Sequence, residues 1–91
     1  MYAALMTLSI DPKKAPQAAA AFTEKVLPKV QSARGFVSGF WVDPVKGHGF
    51  GFLLFETEKQ AARVAKSKSN WKAPGIKILN VDIRRVAVSI P

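Results

Sequence analysis

The chain has 91 residues, enough for one domain spanning 1–91. Its apolar fraction of 48% is high for a domain that buries only about 60% of the surface its unfolded chain exposes, and the surplus predicts a subunit interface. The absence of cysteine excludes disulfides, thiolate chemistry and cysteine-ligated metals. No apolar run nears the roughly 18 residues that cross a bilayer. The opening Met1-Tyr2-Ala3-Ala4-Leu5-Met6 lacks the charged start of a signal peptide. A cytoplasmic protein without membrane association is expected. Fourteen Lys and Arg against six Asp and Glu give a net charge of +8, which attracts polyanions in general. The lysines are scattered, as Lys13 and Lys14, Lys25 and Lys29, Lys66 and Lys68, Lys72 and Lys77. A solvated surface is expected from that dispersion, with no specific nucleic-acid partner.

Tyr2 to Ile10 reads as a strand that is apolar on both faces, with Ala3 and Leu5 on one side and Ala4, Met6 and Leu8 on the other. Such a strand is covered twice. Asp11-Pro12 breaks it. A helix follows with Pro16 in its first turn and an apolar stripe of Ala15, Ala19, Phe22, Val26, Val30 and Ala33. Pro28 inside it removes the hydrogen bond to the Glu24 carbonyl and predicts a kink. Gly35 is its stop. Phe36 to Val42 and Phe50 to Phe55 read as strands joined by the hairpin loop Asp43-Pro44-Val45-Lys46-Gly47-His48-Gly49. Thr57 and Gln60 form a capping box at the start of a second helix, whose thin apolar face includes Ala61, Val64 and Ala65 and fades near Lys68 to Asn70. Pro74-Gly75 is a turn, and the last strand lies within Ile76 to Ile90, best placed at Val81 to Ile90. The order is βαββαβ, an α+β, ferredoxin-like plan with an antiparallel sheet and two helices on one face.

Several short motifs, in order and at matching spacing, resemble one family. Met1-Tyr2-Ala3-Ala4-Leu5-Met6-Thr7 is similar to its first strand. Val26-Leu27-Pro28 resembles its long first helix with an internal proline. Ala33-Arg34-Gly35-Phe36-Val37-Ser38-Gly39-Phe40-Trp41 resembles its glycine–phenylalanine lead-in to strand two, and Phe55-Glu56-Thr57-Glu58 the end of strand three and the following cap. The family is that of antibiotic-biosynthesis-monooxygenase-like proteins, which are dimeric α+β barrels. The resemblance implies a homodimer whose sheets pack face to face, and an apolar cavity between sheet and helices for a small flat molecule. It also implies cofactor-free monooxygenation as an activity class. Many members carry Trp at the end of strand three, where this chain has Phe55. The haem-degrading members need an Asn on strand one and a His by the second helix. Here strand one offers Met6 or Thr7, and no His lies between Thr57 and Asn70. Haem degradation is therefore disfavoured, and no cofactor is expected.

A competing resemblance lies in His48-Gly49-Phe50-Gly51-Phe52-Leu53-Leu54-Phe55, which looks like the aromatic strand-three motif of RNA recognition motifs. Phe50 and Phe52 would then stack on bases, with Tyr2 as the strand-one aromatic. His48 stands where that motif wants Lys or Arg, strand one reads Met6-Thr7 where it wants Asn-Leu, and the first helix is longer than that family's. A row of Tyr2, Ala4, Met6 and Leu8 is also more apolar than an RNA platform, and a bare patch of that kind marks a protein interface. A non-enzymatic structural or stress-related dimer is a third reading.

From strand alternation the expected dimer face holds Tyr2, Ala4, Met6, Trp41, Phe50 and Phe52. The expected cavity is lined by Thr7, Phe40 and Phe55, with Trp71 closing it from the loop after the second helix. His48, the only histidine, has neither a second histidine nor a carboxylate pair nearby, so no metal site and no triad are expected. Asp11, Glu24, Asp43, Glu56, Glu58 and Asp82 include no acid–base pair. Asp82, Arg84 and Arg85 alternate along the last strand and read as a rim ion pair. No residue demands catalysis.

Overall fold

The computed structural model describes residues 1–67 and 75–90. Strand β1 (Tyr2–Ile10) leads into a single-turn 3-10 helix at Pro12–Lys14, where the Asp11 carboxylate accepts a hydrogen bond from the Lys13 N–H at 3.0 Å. Helix α1 (Ala15–Ala21), a π-helical turn (Phe22–Val26) and helix α2 (Leu27–Gln31) then run on without a break. Strands β2 (Phe36–Trp41) and β3 (His48–Phe55), helix α3 (Glu58–Ser67) and strand β4 (Ile76–Arg85) complete the βαββαβ order. The sheet order is β2-β3-β1-β4, and every pairing is antiparallel.

The π turn answers the kink expected at Pro28. A proline nitrogen has no hydrogen to give the Glu24 carbonyl. The helix widens by one residue just before it, and the Leu27 N–H bonds the Phe22 carbonyl instead. The helical stretch ends earlier than expected, at Gln31 with Ser32 as its cap, and Gly35, at φ 80°, instead turns the chain into β2. The capping box is formed as expected: the Thr57 N–H bonds Gln60 Oε1 at 3.1 Å, and the Gln60 N–H bonds Thr57 Oγ1 at 3.3 Å.

The last strand lies earlier in the chain than the sequence suggested. Its partner is β1, and the pairing runs from Ile10 opposite Ile76 to Tyr2 opposite Arg85. Once β1 is used up, only the Val86 N–H bonds back, to the Met1 carbonyl at 2.9 Å. The apolar pattern continues past that point, and Val88 and Ile90 are left exposed.

The core sits between the sheet and the helices. It joins Ala4, Met6 and Leu8 of β1 with Leu53 and Phe55 of β3, Val26 and Val30 of the first helical stretch, and Ala61 and Val64 of α3. Each large side chain there contributes about 1.5–3 kcal/mol through removal of its surface from water. No helix among the described residues is long and apolar enough to cross a membrane.

Candidate functional site

Register between strands decides what each face carries. Tyr2, Ala4, Met6 and Leu8 stand opposite Phe55, Leu53, Gly51 and Gly49. Trp41 stands opposite Gly51. All of these belong to the helix-facing side, as the core membership of Ala4, Met6, Leu8, Leu53 and Phe55 requires. The other side carries Leu5, Thr7, Phe50, Phe52 and Leu54, with Phe40 opposite Phe52, and no element among the described residues covers it.

This corrects several expected placements. Tyr2, Ala4, Met6 and Trp41 were expected at a dimer seam and instead face the helices. Thr7 and Phe40 were expected beneath the helices and lie on the open face. Phe55 does lie beneath the helices, fully buried, and packs edge-on against Phe36 with ring centroids 5.8 Å apart. Phe50 and Phe52 lie on the open face. The period of two was correct within each strand, but a strand's own alternation cannot say which of its faces the helices will cover. Trp71 lies outside the described residues.

A cavity of about 190 Å³ opens between the first helical stretch and the end of the sheet where β1 and β2 finish and β4 begins. Its floor is Leu8, Ile10, Trp41, Val42 and Ile76, and its roof is Ala15, Ala18, Ala19, Phe22 and Thr23, with Pro44 at one side. The cause is local. Three alanines on one helical face are too short to reach the sheet, so the space above Leu8 and Ile10 stays open. The π turn borders it through Phe22 and Thr23. Phe22 meets Trp41 edge-to-face, with centroids 4.8 Å apart and planes at 78°, which fixes the inner wall.

Trp41 lies flat against the sheet because Gly51 opposite it has no side chain. A Cβ at Gly51 would collide with the indole ring. The indole nitrogen is buried there and has no hydrogen-bond partner among the described residues. Thr23 Oγ1 donates to the Ala19 carbonyl at 3.0 Å, so its proton is used and only its lone pairs are free. No side chain lining the cavity titrates. The arrangement can bind and exclude water, but it offers no general base, nucleophile or metal ligand.

On the open face, Phe40 and Phe52 stack with centroids 5.3 Å apart and planes at 12°. Phe40 is 59% and Phe50 57% exposed. A groove of about 390 Å³ runs from these rings past Leu5 and Thr7 to Asn80 and Asp82 on β4. Asp82 pairs with Arg84 at 3.0 Å, the rim ion pair expected from the sequence. The residues beside Phe50 and Phe52 on β1 are Thr7 and Leu5, while Tyr2 faces the other way, so the strand-one aromatic of an RNA platform is missing. His48 begins β3, exposed, opposite Ser9. Among the described residues no three His, Cys, Asp or Glu gather where they could hold a metal.

No protein-family model matches the chain, and no curated protein is similar to it in sequence. Solved structures do share its fold. One is the heme-degrader MhuD from Mycobacterium tuberculosis with two hemes bound, at TM-score 0.69 and 16% identity over 100% of both chains. Another, from Bordetella bronchiseptica and named as an antibiotic biosynthesis monooxygenase, has a TM-score of 0.69 and 11% identity over 96% of this chain and 97% of that one. A third is the monooxygenase ActVA-Orf6 of Streptomyces coelicolor in complex with nanaomycin D, at TM-score 0.59 and 18% identity over 99% and 92%. The chain has the ferredoxin-like α+β fold of antibiotic-biosynthesis-monooxygenase-like proteins. The family resemblance of its sequence motifs thus holds at the level of the fold.

Proposed function

We propose that this chain acts as a homodimer that binds a small, flat, apolar molecule in the cavity beneath its first helical stretch. The observation that carries this is the cavity itself: a half-open apolar space, bounded by an aromatic pair and free of titrating side chains. Ligand pockets usually measure about 300–1,000 Å³, so a space of about 190 Å³ fits a one- or two-ring compound. Haem does not fit this site: no side chain lining the cavity can ligate iron, and His48 stands outside it. The dimer is supported by the open face, where Phe40, Phe50 and Leu5 are exposed side by side, a patch that water disfavours and a second copy would cover.

Cofactor-independent monooxygenation is the second reading, favoured by the monooxygenases among the structural relatives. With no base in the lining, the ionisable phenol of the substrate would have to donate the electron that activates oxygen. The protein would supply shape and dryness. Calorimetric titration with anthrone- and quinol-like compounds, run alongside an oxygen electrode, tests both. Binding is expected, and it should be lost in Ala19→Phe, which fills the cavity from an exposed helix position. Oxygen uptake that disappears with the same variant would add turnover. No binding by the unsubstituted chain would overturn the proposal.

A further inference from the structure

We infer that the ligand of this cavity is an amphipathic anion, a one- or two-ring apolar body carrying a carboxylate, with the charge held at the mouth by Lys46. This rests on the binding reading above and narrows it.

The cavity does not end at its apolar walls. An outer recess of about 280 Å³ is lined by Ile10, Pro12, Ala15, Pro44, Lys46 and Gly47. It shares Ile10, Ala15 and Pro44 with the cavity, so the two adjoin, one apolar and one with a cation in its wall. Lys13 and Lys14 form the turn between Pro12 and Ala15, both of which line the recess. Lys14 also packs beside Gly75, at the same end of the molecule. The acidic groups at this end are Asp11, one of whose oxygens already bonds the Lys13 N–H, and Asp43, next to Pro44. The fold brings the Lys46–Gly47 turn to the end of β1: the Ile10 N–H bonds the Gly47 carbonyl at 2.8 Å and the Asp11 N–H bonds the Gly75 carbonyl at 2.9 Å.

Lys46 has a second peculiarity. Val45 and His48 bridge, which makes Lys46-Gly47 a two-residue turn with φ 53° and 80°. Such turns favour Asn-Gly, and a lysine there is in the left-handed region at some cost. A costly residue at the mouth of a cavity is where a ligand contact is expected. A neutral apolar ligand would leave this rim unused. An anionic one places its body on Leu8 and Trp41 and its charge beside the Lys46 ammonium group.

The test compares 2-naphthoate with its neutral isostere 2-naphthamide by calorimetry at low salt. The unsubstituted chain should bind naphthoate several-fold tighter. Lys46→Asn should lower that preference about two- to fivefold, the range an exposed ion pair supports, while naphthamide affinity stays unchanged. Asn suits the turn, so the fold should be retained. Lys59→Gln on α3 removes the same charge elsewhere and should leave the preference intact. Equal binding of the two compounds, or an equal loss in Lys59→Gln, would overturn the inference and leave the cavity reading standing. Binding of neither compound would remove both.

Discussion

Phe55 and Phe50 lie five residues apart on one strand and live in opposite surroundings. Phe55 is 1% exposed, beneath the helices with Leu53, Ala4 and Met6, whereas Phe50 is 57% exposed on a face that no described element covers. On the helix side small and large side chains interlock, and a gap lies above Leu8 and Ile10, where alanines face the sheet. The open side carries Phe40, Phe50, Phe52, Leu5 and Leu54 with no described helix over them. A sheet face of that composition is stable in solution when a second surface meets it. The helix layer therefore holds the chain's own fold, and the open layer is the face that the proposed dimer would cover.

Four substitutions would break or sharpen this contrast. Phe55→Ala should cost about 3–5 kcal/mol of folding stability, since it leaves a cavity in the packed layer; chemical denaturation measures it, and a cost under about 1 kcal/mol would show that layer to be loose. Phe52→Asp should act on association. An unpaired charge at a buried seam is strongly unfavourable, so light scattering at micromolar concentration should fall from about twice the 9.9 kDa chain mass to a single chain. An unaltered dimer would place the seam elsewhere, and a monomer before substitution would refute the dimer. Gly51→Ala should cost about 1–3 kcal/mol, because its methyl group displaces the Trp41 ring, and should shift tryptophan fluorescence as the cavity wall moves. Thr57→Ala should cost about 1 kcal/mol by removing one arm of the capping box, without affecting the molecular mass. A dimer that dissociates in this variant would tie α3 to the seam and blur the separation of the two layers.

Punctuation and period were enough to read most of the elements. Asp11-Pro12 and the Thr57–Gln60 pair mark boundaries that the structure keeps, whereas the first helical stretch stops at Gln31, short of Gly35. The expected kink at Pro28 became a π turn, because a missing N–H can be accommodated by widening the helix. Two of the alanines that open the cavity, Ala15 and Ala19, belong to the apolar stripe, but Ala18, the buried one, does not. Nothing in a stripe says that its side chains will stop short of the sheet. Trp41, the cavity's aromatic floor, faces the helices and not the seam that strand alternation suggests, and nothing in the sequence sets Lys46, in the wall of the adjoining recess, apart from the other lysines.

The sequence by itself determined the order of elements, the alternation within each strand, the caps and the helix break, since these follow from interactions a few residues apart. Only the tertiary structure decided which face each strand gives to the helices, where β4 stops and which residues enclose the cavity. Those depend on the register of Tyr2 opposite Phe55 and Ile10 opposite Ile76. A slip of one residue in such a pairing exchanges the two faces while leaving every local pattern unchanged.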